Sequence, residues 1–144
     1  MRPIQENRVN RIIDANINRA KEGLRVCEEL ARFVFEHKSL TKQLKDSRHS
    51  IDALARAMVK RDQLLASRNS ARDIGQKVYG KELNRKTLCD IFFANIQRVK
   101  ESIRVLEEFS KLKNKNIAVA FKDLRYGIYD IERKSGAVIK RSLP

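Results

Sequence analysis

Apolar side chains recur every three or four residues along most of the chain, the period of a helix with one buried face. At about 100° per residue, Ile13, Ile17, Ala20, Leu24, Cys27 and Ala31 fall in one narrow stripe and predict a helix from about Ile4 to Phe35. Leu40, Leu44, Ser47, Ile51, Leu54, Ala55 and Met58 keep the same spacing. They predict a second helix, capped by Ser39 and reaching about Ser67. The period fails from Arg68 to Gly80, which holds two glycines and reads as the main loop. A third helix is expected from about Asn84, carrying Leu88, Ile91, Phe92, Ile96, Val99, Ile103 and Leu106. A turn at Lys113 to Asn116 leads to a fourth, from Ile117 to about Lys134, which Ser135-Gly136 ends. No segment alternates strictly, so a sheet is not expected.

The stripes belong to a duplicated unit. ANINRAKEGLRVCEEL, Ala15 to Leu30, returns as ANIQRVKESIRVLEEF, Ala94 to Phe109, with ten of sixteen positions identical and a constant offset of 79. A weaker echo follows each copy, Lys45-Asp46-Ser47-Arg48-His49 and Lys122-Asp123-Leu124-Arg125-Tyr126. The expected fold is all-α: two duplicated long helical hairpins related by pseudo-two-fold symmetry. It forms one domain over 1–144, with repeat one at about 4–67, a loop at 68–80, repeat two at about 84–134 and a loose tail at 135–144.

Composition narrows the function. The chain is 42% hydrophobic and 35% charged, with a net charge of +14. Such a field draws polyanions of any kind, whether nucleic acid, phosphorylated metabolites or an anionic surface. No apolar run approaches the roughly 18 residues of a bilayer span, and the first residues lack the apolar segment of a signal peptide. Cys27 and Cys89 form no metal spacing; both fall on apolar faces and fit a reducing cytoplasm. GxxxxGK[ST] and GxGxxG are absent, which excludes P-loop and Rossmann phosphate sites.

A hydrophobic core needs only apolar periodicity, yet polar residues also repeat: Asn16/Asn95, Arg19/Arg98, Glu22/Glu101 and Arg25/Arg104. Their retention in both copies suggests that the two halves feed one polar site. Each Asn lies at the edge of the apolar stripe. It is either a core amide bonded to a neighbouring helix or a donor–acceptor pair aimed at a ligand. Arg19 and Arg98 follow by one turn and require an anion, either a carboxylate of the bundle or a phosphate. Glu28, Glu29, Glu107 and Glu108 read as surface pairing with the arginines at i−3 and i−4. Lys45, Arg48, Lys122 and Arg125 recur at i and i+3 on the second helix of each hairpin, and all four are expected to converge with Arg19 and Arg98 on one concavity. In the loop, Arg68, Asn69, Ser70, Arg72, Asp73 and Gly75 either carry chemistry or form an ordinary polar crossover.

Taken together, these motifs resemble a known family. D-A-N-x-N-R-A-x-E-G-L-R-V-x-E-E at Asp14 to Glu29, K-x-x-R-H at Lys45 to His49, R-[DN]-[ST]-x-x-D-[IV]-G at Arg68 to Gly75, R-V-x-E-[SA]-x-R-V-L-E-E at Arg98 to Glu108 and Arg125-Tyr126 are similar to the helical domain at the front of some bacterial thiamine-phosphate synthases. The resemblance runs from about Arg11 to Glu132. It implies thiamine biosynthesis and kinase activity on hydroxymethylpyrimidine phosphate, with ATP as co-substrate and Mg²⁺. It also implies a separate thiamine-phosphate synthase as partner, and a homodimer is compatible with it. Carried over residue by residue, it makes Asp73, Glu22 and Glu101 the catalytic candidates, with Asp73 as a magnesium ligand. Phosphate and substrate then fall to Asn16, Arg19, Arg25, Lys45, Arg48, Arg68, Gly75, Asn95, Arg98, Arg104, Lys122 and Arg125. Two departures stand out. Asn69 replaces an Asp of the family pattern, and the barrel synthase domain is absent from these residues, so a complete synthase is not expected. The competing functions are a non-catalytic phosphate-ligand module beside a synthase, and a nucleic-acid-binding protein. The carboxylates interleaved with the arginines disfavour the latter.

Overall fold

The computed structural model describes residues 1–77 and 80–143, so the end of the expected loop at 78–79 and the last residue of the tail lie outside the described residues. The fold is all-α, with no strand among the described residues: α1 Pro3–Phe33, α2 Lys38–Met58, α3 Arg61–Ser67, α4 Leu88–Ser110 and α5 Lys115–Ser142. Each long helix buries one stripe in a single core that includes Ile13, Leu24, Ile51, Phe92, Ile103 and Phe121. α1 packs on α2 and α4, α5 on α4 and α2, closing a ring of four, while short α3 lies on α1. The α1–α4 contact is the most extensive.

Local chemistry sets the boundaries. Pro3 opens α1, where its missing N–H costs nothing. Glu36 turns the chain with φ 47°, and His37 caps α2 by accepting from Leu40 N at 3.1 Å. The cap is thus His37 and not Ser39. The second predicted helix is two helices. Val59 is extended (φ −143°, ψ 139°) with a buried side chain, and the redirected chain buries Leu64 and Ser67. Burial breaks the helix here, without glycine or proline. α4 starts later than Asn84, because Thr87 and Asp90 form a reciprocal capping box. Asn114 caps α5, its Oδ1 accepting from Asn116 N and Ile117 N.

The expected stop at Ser135-Gly136 is overturned. α5 continues to Ser142 because its stripe continues: Ile128, Ile131, Ser135, Val138 and Ile139 are all buried. That burial outweighs the roughly 1 kcal/mol cost of a mid-helix glycine. Residues 68–77 and 80–87 are not uniform loop either, and contain 3₁₀ turns at Ser70–Arg72 and Gly80–Leu83.

Candidate functional site

α1 and α4 run antiparallel, as three contacts fix. Lys113 at the foot of α4 faces Glu6, Gly23 faces Asn95 and Val99, and Cys27 Sγ lies 3.6 Å from the Phe92 carbonyl. Burial pushes the Cys27 thiol up to about 12, with the Glu132 charge adding to it, so this sulfur is a packing group and not a nucleophile. Where the two helices cross, each copy of the motif supplies a small buried residue, Gly23 and Ser102. A Cβ at Gly23 would lie 2.7 Å from Val99 Cγ2 and 3.1 Å from the Asn95 carbonyl oxygen.

Beside this crossing opens a cleft of about 440 Å³. α1 lines it with Asn16, Arg19, Glu22 and Gly23. α4 contributes Asn95, Arg98, Glu101, Ser102 and Val105, and the connecting segment contributes Gly75 and Glu82. The antiparallel register orders the polar groups along the cleft as Asn16, then Arg19 and Glu101 at about one level, then Arg98 and Glu22, then Asn95. At 1.5 Å per residue the two arginines are about 3 Å apart along the common axis, and the two asparagines about 12 Å. Arginines and carboxylates therefore share the middle, and amides close the ends.

Both amides are fixed in the same way. Asn16 Nδ2 donates to the Ile12 carbonyl at 2.9 Å, and Asn95 Nδ2 donates to the Ile91 carbonyl at 2.8 Å. Each retains Oδ1 and a second N–H without a protein partner among the described residues. Arg19, Glu22, Arg98 and Glu101 likewise enter none of the ion pairs formed among the described residues.

The other repeated charges lie elsewhere. Arg25 pairs with Glu28 and Glu29 at 3.1 and 3.0 Å, and Arg104 with Glu107 and Glu108 at 3.0 and 3.7 Å. Glu28 is buried and also holds Arg48 at 3.2 Å, while buried Glu107 holds Arg125 at 2.9 Å. So Glu28 and Glu107 are not surface pairs. Each is a buried carboxylate between two guanidinium groups, clasping the second helix of its hairpin to the first. The expected convergence of Lys45, Arg48, Lys122 and Arg125 with Arg19 and Arg98 is thereby corrected. Arg48 and Arg125 spend their charge on these clasps, and Lys45 and Lys122 are exposed and do not line the cleft. Arg125 also donates to Tyr129 Oη at 3.0 Å and stacks over Tyr126 and Tyr129.

Arg68 does not reach the cleft either. Its Nε and Nη2 grip Asp14 at 2.7 and 2.8 Å, a pairing that raises the Arg68 pKa further. Arg11 reinforces this by donating to the Asn69 carbonyl at 3.0 Å. These bonds tether to α1 the start of the segment that carries Gly75. Asp73 is exposed, its Oδ1 accepting from Gly75 N at 2.8 Å; Gly75 lines the cleft, and Asp73 does not. Among the described residues no three His, Cys, Asp or Glu side chains are grouped to hold a metal. Mg²⁺ needs less, since one or two carboxylates plus phosphate oxygens suffice, and Glu22, Glu101 and the second oxygen of Asp73 are carboxylate oxygens of that kind.

Sequence reasoning did not single out Asp14, Glu82, Val105, Gly23 or Ser102 as site residues. Gly23 and Ser102 carried a signal: they occupy equivalent positions and both are small. Asp14 has Phe93 at the equivalent place, and Glu82 lies in no repeat, so neither carried one.

The fold and the cleft define an all-α protein with a polar site of arginines, carboxylates and amides between α1 and α4. The chain belongs to the ThiD2 family, whose model matches residues 11–134. Its relatives include the thiamine-phosphate synthase of Synechocystis sp., 38% identical over 125 residues, covering 86% of this chain and 35% of that protein. Those of Rhodopirellula baltica (38% over 139 residues, 93% and 37%) and Nostoc punctiforme (39% over 125 residues, 86% and 34%) are similar. The chain spans about a third of the length of these curated relatives. No solved structure matches it. No helix among the described residues is long and apolar enough to cross a membrane.

Proposed function

We propose that this chain serves thiamine biosynthesis as a kinase, converting hydroxymethylpyrimidine phosphate to the diphosphate with ATP. The observation that carries the reading is the pair Arg19 and Arg98, two guanidinium groups in the middle of one cleft with no carboxylate partner among the described residues. Cations left in that state are matched by phosphate, which guanidinium binds through two parallel hydrogen bonds. Family membership and the names of the relatives supply the pathway.

The chemistry asks little covalent work of the protein. An oxygen of the acceptor's phosphate attacks the terminal phosphorus of ATP; a P–O bond forms, the bond to ADP breaks, and ADP leaves with the electron pair. The acceptor is already an anion near neutrality, so no strong base is required. Arg19 and Arg98 screen the repulsion between the two phosphates and hold them in line. Asn16 and Asn95 present a fixed acceptor and donor to the organic parts. Magnesium, when bound, neutralises charge on the phosphoryl oxygens, and Glu22 or Glu101 would hold it together with those oxygens.

The test is diphosphate formation by the purified chain from the pyrimidine monophosphate, ATP and Mg²⁺, followed by anion-exchange chromatography. Product is expected from the monophosphate and not from the unphosphorylated alcohol, which leaves the arginines without an anion. Binding of the monophosphate with no diphosphate under any nucleotide would replace the kinase by a non-catalytic phosphate-ligand module beside a synthase.

A further inference from the structure

The cleft is built from one motif used twice in opposite directions. Asn16, Arg19, Glu22 and Gly23 recur 79 residues later as Asn95, Arg98, Glu101 and Ser102, and all eight line it. Because α1 and α4 are antiparallel, the second copy reverses the order of the first. The two arginines share the middle, and the two amides stand at opposite ends, about 12 Å apart. A single phosphorylated compound uses the centre and one end only. The other end, an amide with Oδ1 and one N–H pointing to no protein partner, is then redundant.

We propose that the cleft receives two phosphorylated ligands from its opposite ends, their phosphates meeting at Arg19 and Arg98 and each organic head lying at its own asparagine. The ligand class is a pair of phosphate esters whose heads carry adjacent hydrogen-bond donor and acceptor groups, the pattern that an asparagine amide reads on an amino-substituted nitrogen heterocycle. This deepens the proposed kinase function and rests on it for the identity of the pair, while the opposed arrangement is measurable without turnover. Arginine and asparagine have separate tasks: Arg19 and Arg98 hold phosphate whatever it is attached to, and Asn16 and Asn95 hold heads.

Two probes separate these tasks: inorganic pyrophosphate, which has no head, and a dinucleoside diphosphate with adenosine at both ends of one pyrophosphate, whose two phosphates match the short spacing of the arginines. Isothermal titration of the full chain is expected to show one dinucleoside molecule bound per chain, at least tenfold tighter than AMP, which has one head and one phosphate. Asn16→Leu and Asn95→Leu are each expected to weaken the dinucleoside by about tenfold and leave pyrophosphate unchanged. Arg19→Ala and Arg98→Ala are each expected to weaken both probes by about tenfold, the loss of one charge-assisted contact. Lys42→Ala, on the exposed face of α2, controls for net charge. Circular dichroism of each variant confirms the helix content. Dinucleoside binding no tighter than AMP, or a loss confined to one asparagine, overturns the two-ended arrangement even if the chain turns over. Tight dinucleoside binding without turnover keeps the arrangement and removes the kinase.

Discussion

Gly23 and Val99 touch where α1 crosses α4, so closely that a Cβ on the glycine would stand 2.7 Å from Val99 Cγ2. The backbone carbonyl of Asn95 is the next neighbour at 3.1 Å, and backbone cannot swing away as a long side chain can. Gly23→Ala therefore forces α1 and α4 apart. Overpacking of this kind costs about 1–3 kcal/mol, against roughly 0.5–1 kcal/mol returned by removing a helical glycine. A net loss in urea unfolding is expected. Gly127 and Gly136 sit in α5 with nothing within 4 Å of an added Cβ, and alanine there should stabilise by about 0.5–1 kcal/mol. Equal signs at the three positions would contradict the close crossing.

Glu28 and Glu107 hold the hairpins together and do not line the cleft. Glu28→Gln leaves Arg48 half-paired near the core, and Glu107→Gln does the same to Arg125. Each should lower stability by about 2–3 kcal/mol with no change in pyrophosphate affinity. A fall in affinity at constant stability would place Arg48 and Arg125 back among the phosphate-binding residues.

Asp14 acts through Arg68. Asp14→Asn removes the charge that Arg68 grips with two bonds, freeing the segment after α3. Amide exchange of residues 69–77 should speed up while exchange in the middle of α1 and α4 stays slow. Unchanged exchange at Gly75 would show that the tether does not position the loop.

The start of α4 depends on pH through Asp90. Backbone N–H groups of Lys86 and Thr87 hydrogen-bond its carboxylate and hold its pKa below the ordinary 3.8. A lowered folded-state pKa means that the stabilisation is present above 3.8 and is lost as pH falls through the lowered value. The melting difference between the native chain and Asp90→Ala should be steady near neutrality and shrink below pH 3.8. Thr87→Ala, which removes the other half of the box, should cost about 1 kcal/mol at neutral pH.

Helices were legible because the apolar stripes of α1, α2, α4 and α5 are long and regular, and the candidate site because Asn, Arg and Glu repeat where a core needs none of them. What escaped was tertiary. Nothing local marks Val59 as a break or Gly136 as harmless; both follow from what the neighbouring turns bury. The sequence shows Arg19, Arg25, Arg48 and Arg68 as similar cations. Only packing gives buried carboxylates to the last two, one buried and one exposed carboxylate to Arg25, and none to Arg19. Equal retention of two sets of arginines concealed two tasks, one holding hairpins together and one facing the cleft.

The most direct test of the account is a nitrogen-15 NMR titration of the chain with hydroxymethylpyrimidine phosphate, following assigned side-chain resonances. The largest shifts are expected on the Nε–H groups of Arg19 and Arg98 and on an amide of Asn16 or Asn95, while Arg48, Arg68 and Arg125 stay still. Shifts centred on Arg48, Arg125, Lys45 or Lys122, with Arg19 and Arg98 unmoved, would contradict it.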